Sequence, residues 1–411
     1  MAGSAALPVA PDRFQSLDVI RGFAVMGILL ANIPAFAFPE PAYFSPRAWG
    51  GTGPADIAAW LANFVFVEGK MRGLFSFLFG ASMLLVIDRA EASGRSGARV
   101  HFSRLVVLFV IGVAHMYLIW WGDILAHYAL VGAVAFLFIR LEVRQLVAVA
   151  LTILLLSLVY SSMGLLAMID AADGRDPALW NSFARAFGSP PRDWLVAEVQ
   201  AMRGGWAEQF AWRRANASGP FAFLEAVGLE TLSAMLLGMA AFRSGFLTGS
   251  WERARYRRWA LVTLAIALPA YALIGGATIL SGFDQRWVFF GSIVGSGPFR
   301  VLAVIGYAAL IVLAVRPGGW LTERMAAVGR AAFTNYLGTS ILVTAIFYGW
   351  GFGQFGSWTR ASVYLVPPLI FAVMLAWSKP WLTRFHYGPL EWLWRSLSRL
   401  ELAPLLKSRA V

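Results

Sequence analysis

The chain has no cysteine, three lysines and four histidines in 411 residues, and only 14% of it is charged. Without cysteine there is neither a disulfide nor a thiolate metal site. So little charge cannot clothe a soluble domain of this size. With 59% hydrophobic residues, 18 tryptophans and a mean hydropathy of +0.66, the chain reads as a helical protein of the bilayer. No Gly-rich phosphate loop is present. The first apolar stretch is followed by Pro39-Glu40-Pro41 rather than a small-residue cleavage site, which predicts a retained span and not a signal peptide. The net charge of +12 comes almost wholly from arginine. In a membrane protein such residues collect on the cytoplasmic side, so this charge orients the chain and does not signal nucleic acid.

Apolar runs predict an all-α fold, a polytopic integral membrane helical bundle of about ten transmembrane helices in one domain, 1–411. The spans fall near 19–38, 73–87, 104–121, 123–139, 145–169, 221–242, 259–281, 289–315, 331–351 and 361–378. Residues 1–12 read as a disordered tail and 57–70 as an interfacial lead-in to the second span. Residues 170–220 are the one long non-spanning region. In it Leu195, Val199, Met202, Trp206 and Phe210 recur at helical spacing, with Arg192, Asp193, Glu198, Arg203, Glu208 and Arg213 on other faces, an amphipathic helix on the bilayer surface or over the bundle. The segment 379–411 reads as interfacial. Gly388-Pro389 opens a short helix with Leu390, Leu393, Trp394 and Leu397 on one face. The loops 88–104, 140–144, 243–258 and 316–330 hold 4, 2, 5 and 3 arginines, whereas 39–56, 282–288 and 352–360 hold one each. This asymmetry predicts both termini inside, with 170–220 and the turn at Asp123 outside.

The stretch RLVVLFVIGVAHMYLIWWGDILAHYAL, Arg104 to Leu130, reads as two spans joined by Trp121-Gly122-Asp123. His115 and His127 flank the turn, each about 6–10 Å below its tip by the helical rise, with Asp123 between them. Ionisable groups at membrane depth are expensive and mark function by default. One reading is a general base, His115 or His127, oriented by Asp123. Another is a polar cluster that pins the hairpin. The spacing fits no metal motif. Glu68, Glu225 and Glu230 are further outer-half or intramembrane carboxylates, with Arg72 or Arg21 as partners across the bundle. Asp18 and Arg21 share a helical face at the start of the first span. Tyr336 and Asn335 follow Arg330 at the inner end of the ninth. Gly291 and Gly295 suit close helix packing.

Beyond these readings, SLDVIRGFAVMGILLANI resembles the opening of the transmembrane acyltransferase superfamily, and several motifs along the chain resemble the YeiB-like family, domain of unknown function 418. These are LFSFLFGASM (74–83), GVAHMYLIWWGDILAHYALVG (112–132), LLGMAAFRSG (236–245), GRAAFTNYLGTSI (329–341) and FHYGPLEWLWR (385–395). The superfamily pattern has an arginine, ten residues, then a catalytic histidine. Counted from Arg21, that position is Asn32, which cannot take a proton at neutral pH. A second superfamily group uses a histidine in the following loop, and 43–56 holds none.

What the resemblance implies is a bacterial cytoplasmic (inner) membrane protein that moves an acyl group from a cytoplasmic thioester such as acyl-coenzyme A to a small-molecule, lipid or glycan acceptor at the outer face. Its base would come from His115, Asp123 and His127. Asn32, Glu68, Arg72 and Glu230 would hold the acceptor. Asp18, Arg21, Arg104, Arg330 and Tyr336 would hold the donor, with no resident metal. The alternative is a transporter or lipid-handling protein without covalent chemistry, since intramembrane glutamate and histidine also make proton relays. The lipid bilayer is the one partner composition requires; nothing in the sequence fixes or excludes an oligomer.

Overall fold

The computed structural model describes residues 14–217 and 219–407, so the tail at 1–12 lies outside the described residues. The fold is all-α. The helices are α1 (Gln15–Ala37), α2 (Pro54–Phe66), α3 (Lys70–Ala92), α4 (Gly97–Leu118), α5 (Leu125–Ala135), α6 (Val143–Asp170), α7 (Pro177–Phe187), α8 (Arg192–Arg203) and α9 (Trp206–Asn216). They continue with α10 (Gly219–Arg243), α11 (Arg253–Leu280), α12 (Gln285–Phe289), α13 (Gly297–Ala314), α14 (Trp320–Arg330), α15 (Ala332–Phe347), α16 (Arg360–Val363), α17 (Val366–Arg384) and α18 (Pro389–Arg399).

Among the described residues eight helical segments are long and apolar enough to cross a bilayer, and this is a multi-pass membrane protein. The expected fourth and ninth spans are helical but short, Leu125–Phe138 and Ala332–Phe347. At 1.5 Å per residue they reach roughly 21 and 24 Å, less than the ~30 Å hydrocarbon layer.

Hydrogen bonds sort the loops into two ends. At the arginine-rich end the Ser16 hydroxyl donates to Leu247 O at 2.7 Å, Arg243 donates to the Leu141 and Ile139 carbonyls, and Trp394 Nε1 donates to Arg104 O at 2.9 Å. Glu391 of α18 accepts from the Phe333 and Thr334 amides at 2.7 and 3.1 Å, so the last helix caps the start of α15. At the arginine-poor end Arg47 reaches Gly282 O, Trp49 reaches Gly356 O and Arg203 reaches Phe355 O, at 2.7, 2.9 and 2.7 Å.

Two segments differ from the sequence reading. The amphipathic pattern of 195–210 is not one helix: it breaks at Gly204-Gly205 into α8 and α9, with α7 before them. The break is held from outside, because Gly349 N donates to Met202 O at 2.9 Å and Gln209 Nε2 to Gly204 O at 2.9 Å. Glu198 and Arg213, expected on polar faces, are buried at 3% and 1% exposure. The second is 57–70, whose helix packs into the bundle. In α2, Trp60 and Phe64 are buried with Tyr271 of α11. The chain then turns at 67–69, where Gly69 takes φ +70°, before α3 begins.

The core rests on close helix approach. Gly80 of α3 and Gly238 of α10 each face a carbonyl oxygen of the other helix, Met235 O and Phe77 O, and a Cβ at either would overlap it.

Candidate functional site

The α4–α5 hairpin forms a buried dyad. His115 Nδ1 lies 2.8 Å from Asp123 Oδ2, and the other Asp123 oxygen accepts from the Ala126 amide at 2.9 Å. Both carboxylate oxygens accept, so Nδ1 carries the hydrogen and Nε2 of the neutral ring keeps its lone pair. The side chains are 1% and 0% exposed, and Nε2 has no partner. Remote contacts brace the turn. Trp120 stacks on Phe36 of α1 with centroids 3.9 Å apart. The last carbonyls of α4, which no helical amide can reach, are taken from outside. Arg213 donates to Tyr117 O at 2.8 Å and to Leu118 O at 3.2 Å, and Trp206 donates to Leu118 O at 2.9 Å.

Beside the dyad stands Tyr336, its ring 5.5 Å from that of His115. Tyr336 lines a small cavity with Asn32, Thr339, Ser340, Trp120 and apolar residues of α1. Its volume is about 10 Å³, room for one water. The hydroxyls of Tyr336 and Thr339 are buried without partners. Asn32, expected at the acceptor, and Tyr336, expected at the donor, thus line the same small cavity.

His127 belongs to a different network. Its Nε2 lies 2.9 Å from Thr231 Oγ1 of α10, and it makes no hydrogen bond to Asp123. Arg72 also approaches Thr231, at 3.4 Å, and pairs with Glu230 at 3.1 Å. Arg300 of α13 reaches the other Glu230 oxygen at 2.5 Å and the Ser292 carbonyl at 2.6 Å. Ser292 lies in a π-helical turn, 290–295, where the widened backbone exposes that carbonyl. Tyr128 and Ser76 both donate to the Arg72 carbonyl. Lys70 donates to the carbonyls of Phe64 and Glu68 and sits 3.1 Å over the Tyr271 ring. Arg300 and Lys70 were not among the residues read from the sequence. The signal for Arg300 was present: it is the one charged residue between 289 and 315.

The expected donor residues lie toward the arginine-rich end. Arg21 pairs with Asp18 at 3.1 Å and donates to Ser82 at 2.9 Å. Gly22 and Gly329 allow α1 and α14 to touch through their backbones, which brings Arg330 beside that segment. Arg104 stands on Trp394 of α18, 4.0 Å from its ring.

Known proteins resemble the chain over its whole length. The model of the family described as "Protein of unknown function (DUF418)" matches residues 241–401. The uncharacterized protein YeiB of Escherichia coli (strain K12) is 31% identical over 411 residues, 96% of this chain and 98% of that protein. The uncharacterized protein YxaH of Bacillus subtilis (strain 168) is 30% identical over 428 residues, 97% of this chain and 98% of its own. An uncharacterized 39.9 kDa protein of Bacillus acidopullulyticus is 24% identical with similar coverage. A full-length likeness at this identity, with the family's own model matching the C-terminal portion, makes this chain a member of the DUF418 family of multi-pass membrane proteins.

Proposed function

We propose that the protein is a membrane-embedded acyltransferase whose general base is His115. One observation carries this reading: a buried imidazole held by a carboxylate at 2.8 Å, its second nitrogen unpartnered, and its ring against Tyr336, which lines a small cavity. That is the arrangement a general base needs. Nε2 removes the proton of an acceptor hydroxyl or amine as its oxygen or nitrogen bonds to the thioester carbonyl carbon. The carbon–sulfur bond then breaks, and the imidazolium returns the proton to the leaving thiolate. Asp123 stabilises the imidazolium. Asn32, in the cavity wall, faces the reacting groups as a hydrogen-bonding residue.

In this reading the donor is an acyl-coenzyme A. Its phosphates meet Arg21, Arg104 and Arg330 at the arginine-rich end, which is cytoplasmic, and the acceptor arrives from the outer face of a bacterial cytoplasmic membrane. The arginine distribution between loops supports this orientation. Single cysteines at Gly122 and Gly353 then label from outside intact cells, and those at Ser96 and Gly318 do not. Labelling of Ser96 from outside reverses it. For the chemistry, purified protein in lipid binds radiolabelled acyl-coenzyme A at low salt, and His115→Gln keeps binding while losing transfer. Absence of donor binding by folded protein rejects the reading.

A transporter is the second reading, supported by the interrupted α2–α3 segment with Glu68 and Lys70 at its break and by Glu230 between two arginines. It requires substrate uptake that collapses with the proton gradient and no donor binding.

A further inference from the structure

We infer that the arginine-poor half of the bundle contains a binding site for an oxyanion, a carboxylate or phosphate group, built on Arg360 and Tyr364 where α16 meets the 37–56 segment. The charges there do not balance. Four buried or half-buried cations, Lys70, Arg72, Arg300 and Arg360, stand among three carboxylates, Asp56, Glu68 and Glu230. Arg72 and Arg300 converge on Glu230. Lys70 is held by two carbonyls and the Tyr271 face. Glu68 lies in the field of Lys70 first, then Arg300 and Arg360. Asp56 accepts from the Ala361 amide at 2.9 Å.

Arg360 is left over. It is 0% exposed, its Nη2 donates to the Ala42 carbonyl, and its Nε and Nη1 have no partner. Among the described residues no carboxylate comes within ion-pair distance of it. The Tyr364 hydroxyl, one helical turn on, is likewise buried and unpaired. A guanidinium taken out of water with two nitrogens unbonded is costly, and a bound anion would offset that cost through charge-assisted hydrogen bonds. Acceptor oxygens are what is missing, since Arg360 offers only donors and the phenol can donate as well. Tyr364 and Tyr43, whose phenol lies in the combined field of Glu68, Arg72, Tyr364 and Arg300, are both half-buried, so the site borders accessible surface. Glu68 disfavours an anion on its own side, and Lys70 and Arg300 offset it there.

The test uses the full chain and two probes. In neutral detergent, inorganic phosphate is titrated against chloride at equal ionic strength while the melting temperature is followed. In nanodiscs, phosphatidylglycerol is compared with phosphatidylcholine. A rise with phosphate assigns a soluble anion, and a rise with phosphatidylglycerol alone assigns a lipid headgroup. In either case Arg360→Gln and Tyr364→Phe weaken the response about tenfold or more, the loss of one charge-assisted hydrogen bond. If Arg360→Gln does not fold, Tyr364→Phe, which removes a single oxygen, decides alone. His115→Gln keeps the response, which separates this site from the proposed base. No rise with either probe, or a rise that both variants retain, overturns the proposal.

Discussion

Two polar networks lie within reach of the same hairpin, and they are built in opposite ways. The His115–Asp123 dyad spans eight residues of sequence and closes on itself through one turn. The Glu230 network gathers Arg72, Thr231 and Arg300 from three helices, with 158 and 70 residues between its charged partners. The first has one carboxyl group, met by a ring nitrogen and a backbone amide. The second sets one carboxylate between two guanidinium groups. The difference separates a pair that one hairpin turn completes from a carboxylate whose removal leaves two buried cations facing each other.

Substitutions can break that comparison. The largest effect falls on Glu230→Gln, which strands Arg72 and Arg300. It costs about 3–5 kcal/mol, read as loss of monodisperse protein on size-exclusion chromatography, and a normal yield would contradict the assignment. Next, Asp123→Asn keeps the hairpin but no longer stabilises the imidazolium. Transfer falls about 100-fold while the melting temperature changes little, and unchanged transfer would show the dyad to be a structural pin.

A third experiment concerns the cap above the hairpin. Burial, and then the neighbouring Glu40 carboxyl, push the Glu198 carboxyl well above the usual range, and burial raises half-buried Glu40 from 4.5 to about 7. A carboxyl raised in the folded state binds its proton more tightly there than in the unfolded chain. Stability is therefore full below the unfolded value and falls as pH rises toward the folded one. The melting temperature should drop between pH 5 and 7, the window set by Glu40. Glu40→Gln, which removes the group that sets the window and keeps the amide that donates to Glu198, should flatten that drop. The smallest effect belongs to His127→Gln. Glutamine retains a bond to Thr231, so the cost stays near 0.6 kcal/mol and transfer is unaffected. A collapse of transfer in that variant would join the two networks into one site.

What the sequence made legible follows from distance along the chain. The hairpin, the Asp18–Arg21 pair and the short helix at Pro389 are local, and periodicity and turn residues suffice to read them. The positions of the apolar spans follow from the same runs. His127 could not be assigned to Thr231 rather than Asp123, because the choice depends on α10, a hundred residues away. Tyr336 reads as a helix-end residue beside Arg330 until α15 is folded against α4. The Gly204-Gly205 pair was visible, but Gly349, which fixes the break, is remote. Arg300 and Arg360 announce themselves as charges in apolar surroundings, and their partners do not.

The capping of α4 by Arg213 also sets an order of assembly. The chain emerges from its N-terminus, so the carbonyls of Tyr117 and Leu118 are made 96 and 95 residues before the guanidinium that satisfies them. At about 5–20 residues per second of synthesis, the hairpin waits roughly 5–20 s in an incomplete state. Its dyad closes early, but its tip is sealed only after α6 has crossed and the 171–217 segment has reached the same side. The hairpin is thus an early-made, late-finished element, and a ribosome stalled before residue 213 would leave a membrane intermediate with an uncapped α4 end close to His115.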